Sequence, residues 1–154
     1  MIPQDKLEKI IEAGTYAATG MGKQSPIIIA VTNKELRDKL SAMNAKIMGV
    51  DSDPFYGAPT VIVVFADKAC SPTYVEDGSL VLGNLMNAAH SVGLGSCWIH
   101  RAKETFETPE GKELMKKWGI ADTCVGIGNC VLGYADMPML EPKERKKDYV
   151  VMVK

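Results

Sequence analysis

The chain has 154 residues, with 18 Lys and Arg against 19 Asp and Glu and a formal net charge of −1. That length suits one domain over residues 1–154, large enough to bury a core without disulfides or a structural metal. The near-neutral balance leaves no whole-molecule field for nucleic acid or an anionic membrane, so any basic site must be local.

The elements follow in chain order. Leu7, Ile10, Ile11, Gly14, Ala17 and Ala18 recur at helical spacing, and Pro3 stands where a first-turn proline is tolerated. A helix is predicted over about residues 3–18. Thr19 to Pro26 reads as a glycine-containing loop, and the β-branched run Pro26 to Thr32 as a buried strand. Thr32 and Glu35 have capping-box spacing, and Leu36, Leu40, Met43 and Ile47 continue as one helical face. Thr60 to Ala66 is a second buried strand. A long helix is predicted from Val75 to Val92, stopped by Gly93; its Gly78, Gly83, Ala88 and Ala89 would permit close packing.

Ser96 to Ile99 is a short strand candidate. Thr108 and Pro109 open another helix that Gly119 ends. Thr123 to Leu132 is a strand whose Gly126 and Gly128 suggest close approach by another element. Beyond Gly133 the chain is broken by prolines and charged, and it closes with Tyr149 to Val153, predicted as a last strand. An irregular arm ahead of a strand can reach a second subunit. Helices and strands alternate, which predicts an α/β or α+β fold.

The longest apolar runs, Ile27 to Val31 and Val61 to Ala66, are of strand length and too short to span a bilayer. The first five residues carry no basic stretch leading into an apolar one, so no secretory signal is expected. Cys70, Cys97, Cys124 and Cys130 form no C-x-x-C pair, which argues against zinc or a disulfide framework and for a reduced, cytoplasmic protein. Cys97, Cys124 and Cys130 are expected to be packed. His90 and His100 share no ligand spacing; His90 is expected half-buried in its helix, and His100 with Arg101 either faces a pocket or lies in an ordinary loop. No serine, histidine and acid triad stands out.

Gly126-Ile127-Gly128 and Gly93-Leu94-Gly95 each begin like a dinucleotide fingerprint but lack the third glycine and the helix that should follow. Lys143, Arg145 and Lys147 alternate; in an extended segment they would point one way and converge on a phosphate, with Arg145 offering a bidentate fork. The other reading is a solvated basic tail.

Taken together, several stretches resemble the nitroreductase family. These are Lys6 to Gly14 with Ala17-Ala18-Thr19-Gly20-Met21 and Lys23-Gln24; Phe55-Tyr56-Gly57-Ala58-Pro59 leading into Val61 to Val64; Asp77-Gly78 through Asn84-Leu85-Met86 to Gly93-Leu94-Gly95-Ser96-Cys97-Trp98-Ile99; and Gly133-Tyr134 with Lys143 and Arg145. Each block is weak alone, but the ordered set covers essentially the whole chain. Gly22 stands where that family often has asparagine, and Ser25 where it often has proline. The resemblance begins after the arginine- and serine-rich segment with which members usually open, so the N-terminus reads as truncated relative to the family.

The resemblance implies an α+β three-layer sandwich, a mixed but mainly antiparallel sheet between helices, in an intertwined homodimer with FMN at the subunit interface. It implies an NAD(P)H-dependent oxidoreductase that takes hydride from NADH or NADPH and reduces a small-molecule acceptor such as a nitroaromatic or quinone, in two ping-pong halves. The cofactor carries the reaction, so no catalytic side chain is expected. Gly20, Met21, Gly22, Lys23 and Gln24 would line the isoalloxazine. Trp98, Ile99 and His100 would pass near its N5, and Lys143 and Arg145 would hold its phosphate. Two alternatives remain at this stage: a non-catalytic dimeric relative that binds flavin or another ligand weakly, and a thiol-redox protein.

Overall fold

The structure is a computed structural model, and it describes residues 1–138 and 141–154. Among these residues the elements are α1 (Gln4–Thr15), β1 (Pro26–Val31), α2 (Lys34–Met48), β2 (Thr60–Asp67), α3 (Tyr74–Ser91), β3 (Gly95–Ile99), α4 (Ala102–Glu107), α5 (Pro109–Lys117) and β4 (Cys124–Gly133). The strands form one antiparallel sheet in the order β1-β2-β4-β3.

The middle strand β2 explains the layering. Its side chains alternate between faces, and both faces are covered. Val61, Val63 and Phe65 join Leu40 and Met43 of α2, Phe106 of α4 and Met115 of α5. Ile62, Val64 and Ala66 join Leu7 and Ile10 of α1 and Val81, Leu82 and Leu85 of α3. Two helical layers therefore enclose the sheet, and β2 reads as a continuous apolar run. The result is the α+β three-layer sandwich expected from the sequence.

Close approaches set the spacing of α3 on β4. A Cβ at Gly78 would stand 2.6 Å from Ile127, and one at Gly128 would stand 2.8 Å from Leu82 and 3.0 Å from Trp98. On the other face, a Cβ at Gly126 would meet the Ala102 carbonyl oxygen at 2.6 Å. Ile127 is the extra residue of a bulge, because Val64 pairs with Gly128 while Phe65 pairs with Gly126. Gly83, in contrast, faces open space.

Some expectations need correction. The N-cap of α2 is Asn33, whose side chain accepts from the Leu36 amide at 2.9 Å; Thr32 does not cap it. Helix α4 had no counterpart in the sequence reading. Tyr149 to Val153 forms no strand, because no strand among the described residues lies beside this segment to complete a ladder. His90 is exposed rather than half-buried, and Cys97 is exposed rather than packed.

Candidate functional site

The loop ahead of β1 is tightly specified by its own backbone. Gly20–Gly22 makes a single 3-10 turn, and Met21, Gly22 and Gln24 all have positive φ, at 54°, 64° and 51°. The Gly22 and Lys23 amides donate to the carbonyls of Thr19 and Gly20, and the Gln24 amide donates to the Thr19 hydroxyl at 3.1 Å. Met21 to Gln24 are exposed, and nothing lies within 4 Å of where a Gly22 Cβ would stand. The loop thus presents an open peptide face with room beside it.

One buried carboxylate holds this loop to α3. Asp77 accepts from the Gly20 amide at 2.9 Å, the Ser25 hydroxyl at 2.8 Å and the Thr73 hydroxyl at 3.0 Å. Burial works against its ionisation, but these donors outweigh it and hold the carboxyl below its ordinary pKa. Beside the loop, an apolar cleft of about 350 Å³ opens between α1, α3 and β1. Ile11, Ile28 and Val81 line it, with Thr19 and Gln24 among its polar residues.

The second predicted segment lies at the far edge of the sheet. Trp98 is half-buried with its ring over Gly128, Ile99 is buried, and His100 is exposed as the chain leaves β3. Arg101 then turns left-handed at φ 73° and opens α4. The Asn44 amide donates to the His100 carbonyl at 2.7 Å and the Asn129 amide donates to the Ile99 carbonyl at 3.2 Å. Among the described residues, neither the His100 nor the Arg101 backbone N–H donates to a protein acceptor.

Strands β1 and β3 are the two edges of the sheet. They stand three strand spacings apart, roughly 14 Å. The structure therefore places the Gly20–Gln24 loop and the Trp98–His100 exit at opposite edges of the sheet. Lys143 and Arg145 lie in the exposed C-terminal arm. The Arg145 guanidinium donates to the Lys143 carbonyl from Nε at 3.0 Å and from Nη2 at 2.5 Å. Lys147 and Asp148 sit in a turn, so the extended alternation of Lys143 and Arg145 does not continue through Lys147. Sequence reasoning gave no role to Asp77, Asn44 and Asn129 as side chains. The one signal for Asn44 was its place on the helical face of Leu40, a polar residue at a core position.

Among the described residues no cluster of His, Cys, Asp and Glu could hold a metal, and no helix is long and apolar enough to cross a membrane.

The family model for nitroreductases matches residues 46–134, more than half of the chain. The chain belongs to the nitroreductase family. Two archaeal relatives carry the provisional name NADH dehydrogenase/NAD(P)H nitroreductase. The protein of Methanothermobacter thermautotrophicus is 27% identical over 100 residues, 63% of this chain and 50% of the relative. The match thus spans half the length of that relative. The protein of Archaeoglobus fulgidus is 28% identical over 152 residues, 96% of this chain and 79% of the relative. Among solved structures, a nitroreductase with bound FMN from Bacteroides fragilis superposes with a TM-score of 0.89 at 27% identity, over 100% of this chain and 89% of that one. The nitroreductase block Asp77-Gly78 to Ile99 is therefore the stretch that carries α3, the loop anchor and β3 together.

Proposed function

We propose that this nitroreductase-family chain is an FMN-dependent NAD(P)H oxidoreductase acting on nitroaromatic, quinone or similar acceptors as a homodimer. The observation that carries the reading is the pair of backbone N–H groups at His100 and Arg101 that meet no acceptor among the described residues, where the chain leaves the edge strand β3, in a chain whose whole length matches an FMN-bound nitroreductase. The donor set suits FMN. Backbone N–H groups serve the heteroatoms of a planar ring, the exposed Met21–Gln24 turn offers a peptide face for stacking, and Lys143 and Arg145 suit a phosphate.

When bound, FMN supplies the redox chemistry, hydride exchange at N5 in two ping-pong half-reactions with NADH or NADPH as donor. The protein's part is to bind, orient and leave one face open. No side chain here needs to move a proton in the chemical step. The Asp77 carboxylate fixes the Gly20 end of the loop. Arg145 is free to exchange the Lys143 carbonyl for a phosphate oxygen, a stronger charge-assisted acceptor. The roughly 14 Å between the β1 and β3 edges supports a site shared by two copies, with the loop of one protomer facing the β3 exit of its partner.

The test is reconstitution of the purified protein with FMN, followed by fluorescence quenching and by NADH and NADPH oxidation with a nitroaromatic and a quinone. Quenching with parallel double-reciprocal lines is expected. Arg145→Ala is expected to weaken FMN by about 10- to 100-fold, the worth of one charge-assisted hydrogen bond. Absence of both quenching and turnover overturns the reading. A second reading, a dimeric flavin or ligand binder without turnover, is favoured by the engagement of the Arg145 fork with its own chain. It predicts weak quenching and no NAD(P)H consumption.

A further inference from the structure

Asn44 and Asn129 are side-chain amides buried to 1% and 3% exposure, and both donate to backbone carbonyls at the exit of β3. The two carbonyls are consecutive, Ile99 and His100. In a trans peptide the carbonyl and the N–H of one unit point in opposite directions. Drawing these carbonyls toward β4 and α2 therefore turns the His100 N–H away from β4 and the Arg101 N–H away from α2. Those are the two N–H groups that meet no protein acceptor among the described residues.

The arrangement is costly in itself. The Oδ1 of Asn44 is buried and has no hydrogen-bond partner among the described residues. An orphaned buried acceptor costs at least as much as one neutral hydrogen bond made by the same side chain returns. Leucine at this position would remove the orphaned acceptor but would leave the His100 carbonyl without its side-chain donor. The two effects oppose each other, so stability does not by itself select an amide here, and the orientation of the His100 carbonyl is what the amide adds.

We infer that Asn44 and Asn129 are positioning residues, a clamp that fixes the Ile99 and His100 carbonyls and so aims the His100 and Arg101 N–H groups at the N5 edge of a bound flavin. The inference rests on the flavin reading above. N5 of the oxidised ring has a lone pair that accepts such a donor. After reduction N5 carries hydrogen and no longer accepts. The clamp thus favours oxidised over reduced cofactor and sets the potential of the site.

The test uses the full chain and its Asn44→Leu, Asn129→Leu and Asn44→Gln variants. Three readouts are compared: affinity for oxidised FMN, the midpoint potential from a dye-referenced reductive titration, and thermal stability. Asn44→Leu and Asn129→Leu are expected to weaken oxidised FMN about tenfold and to leave the reduced form unchanged. That ratio corresponds to a rise of about 30 mV in a two-electron couple. Asn44→Gln keeps a donor and is expected to recover most of the shift. Leu40→Val, in the same helix and at a side chain that can donate to neither carbonyl, is expected to lower stability and leave the potential where it was. Should Asn44→Leu fail to fold, Asn44→Ala and Asn129→Ala remove the donors without adding bulk. Unchanged potentials in variants that bind FMN overturn the clamp and leave the flavin reading intact. A wild-type protein that binds no FMN overturns both.

Discussion

Asp53 shows how one side chain can fix a turn. It accepts from the Arg37 guanidinium at 2.6 Å, the Phe55 and Gly57 amides at 2.9 and 2.7 Å, and the Ser41 hydroxyl. Arg37 in turn donates from Nε to the Ala58 carbonyl at 2.8 Å, so α2 is tied to the chain entering β2. Partial burial opposes the charge of Asp53, but these donors bring its pKa down from 3.8 to about 2. A depressed folded-state pKa means stability that is present above the unfolded value and lost as pH falls from about 4 through about 2. The shift is equivalent to roughly 2 kcal/mol. For a side chain 36% exposed, solvent screening reduces it to about 1 kcal/mol. Asp53→Asn should accordingly lose about that much at pH 7 in urea titrations, and the gap to wild type should close as the pH drops toward 2.5; an equal gap at both ends would contradict the account. Burial also pushes the Cys130 thiol up to about 12, with Cys97 adding to it, and raises Cys124. Cys97 is exposed. Alkylation of the native protein, read by mass spectrometry, should modify Cys97 well before Cys124 and Cys130. Rapid labelling of the latter two would revive the thiol-redox alternative.

The elements were legible where local chemistry and burial agree. β2 follows from its apolar run, and α5 from Thr108, whose hydroxyl accepts from the Gly111 amide at 3.0 Å, with Pro109 as the first helical residue. Thr108→Ala should cost about 1 kcal/mol, the usual worth of a cap, in a denaturant series. Legibility failed where two neighbours compete or where a partner decides. Thr32 and Asn33 both suit a cap, and the capping-box spacing favoured the wrong one. Helix α4 has six residues, too few for a periodic signal; it is set by the left-handed Arg101 and by Phe106 against Phe65, with ring centroids 4.6 Å apart. The loop and the β3 exit were legible through their glycines and the family pattern. Asp77 and Asn129 as anchors were not, because a single polar residue gains that role only from the backbone it faces. Gly126 was read as a close approach, and the contact proves to be with the backbone of α4. Gly126→Ala should therefore cost about 2 kcal/mol or more, since the backbone it meets has little freedom to yield, and melting curves should rank it below Thr108→Ala.

At the scale of the whole molecule, the C-terminal arm leaves apolar side chains uncovered. Tyr149, Val150, Val151, Met152 and Val153 are 69–91% exposed, and Tyr16, Met21, Val75 and Leu80 are also exposed. Among the described residues, β1 and β3 leave their outer edges unpaired. A β-branched run and an open sheet edge each lack what the other supplies, a ladder partner and an apolar cover. Fully burying a valine is worth about 1.5–3 kcal/mol, so three valines and a methionine can offset a cost of association in the range of about 4–15 kcal/mol. A dimer in which each arm lies along its partner would bury these side chains and carry Lys143 and Arg145 across to the other subunit. The double variant Val151→Lys with Val153→Lys places two charges in that contact and leaves the described core untouched. Sedimentation should show wild type as a dimer at micromolar concentration and the variant as a folded monomer. FMN quenching should fall with the dimer, because the loop and the β3 exit that would share one flavin then belong to separate molecules. A variant that remains dimeric and binds FMN as wild type does would remove the arm from both the interface and the site.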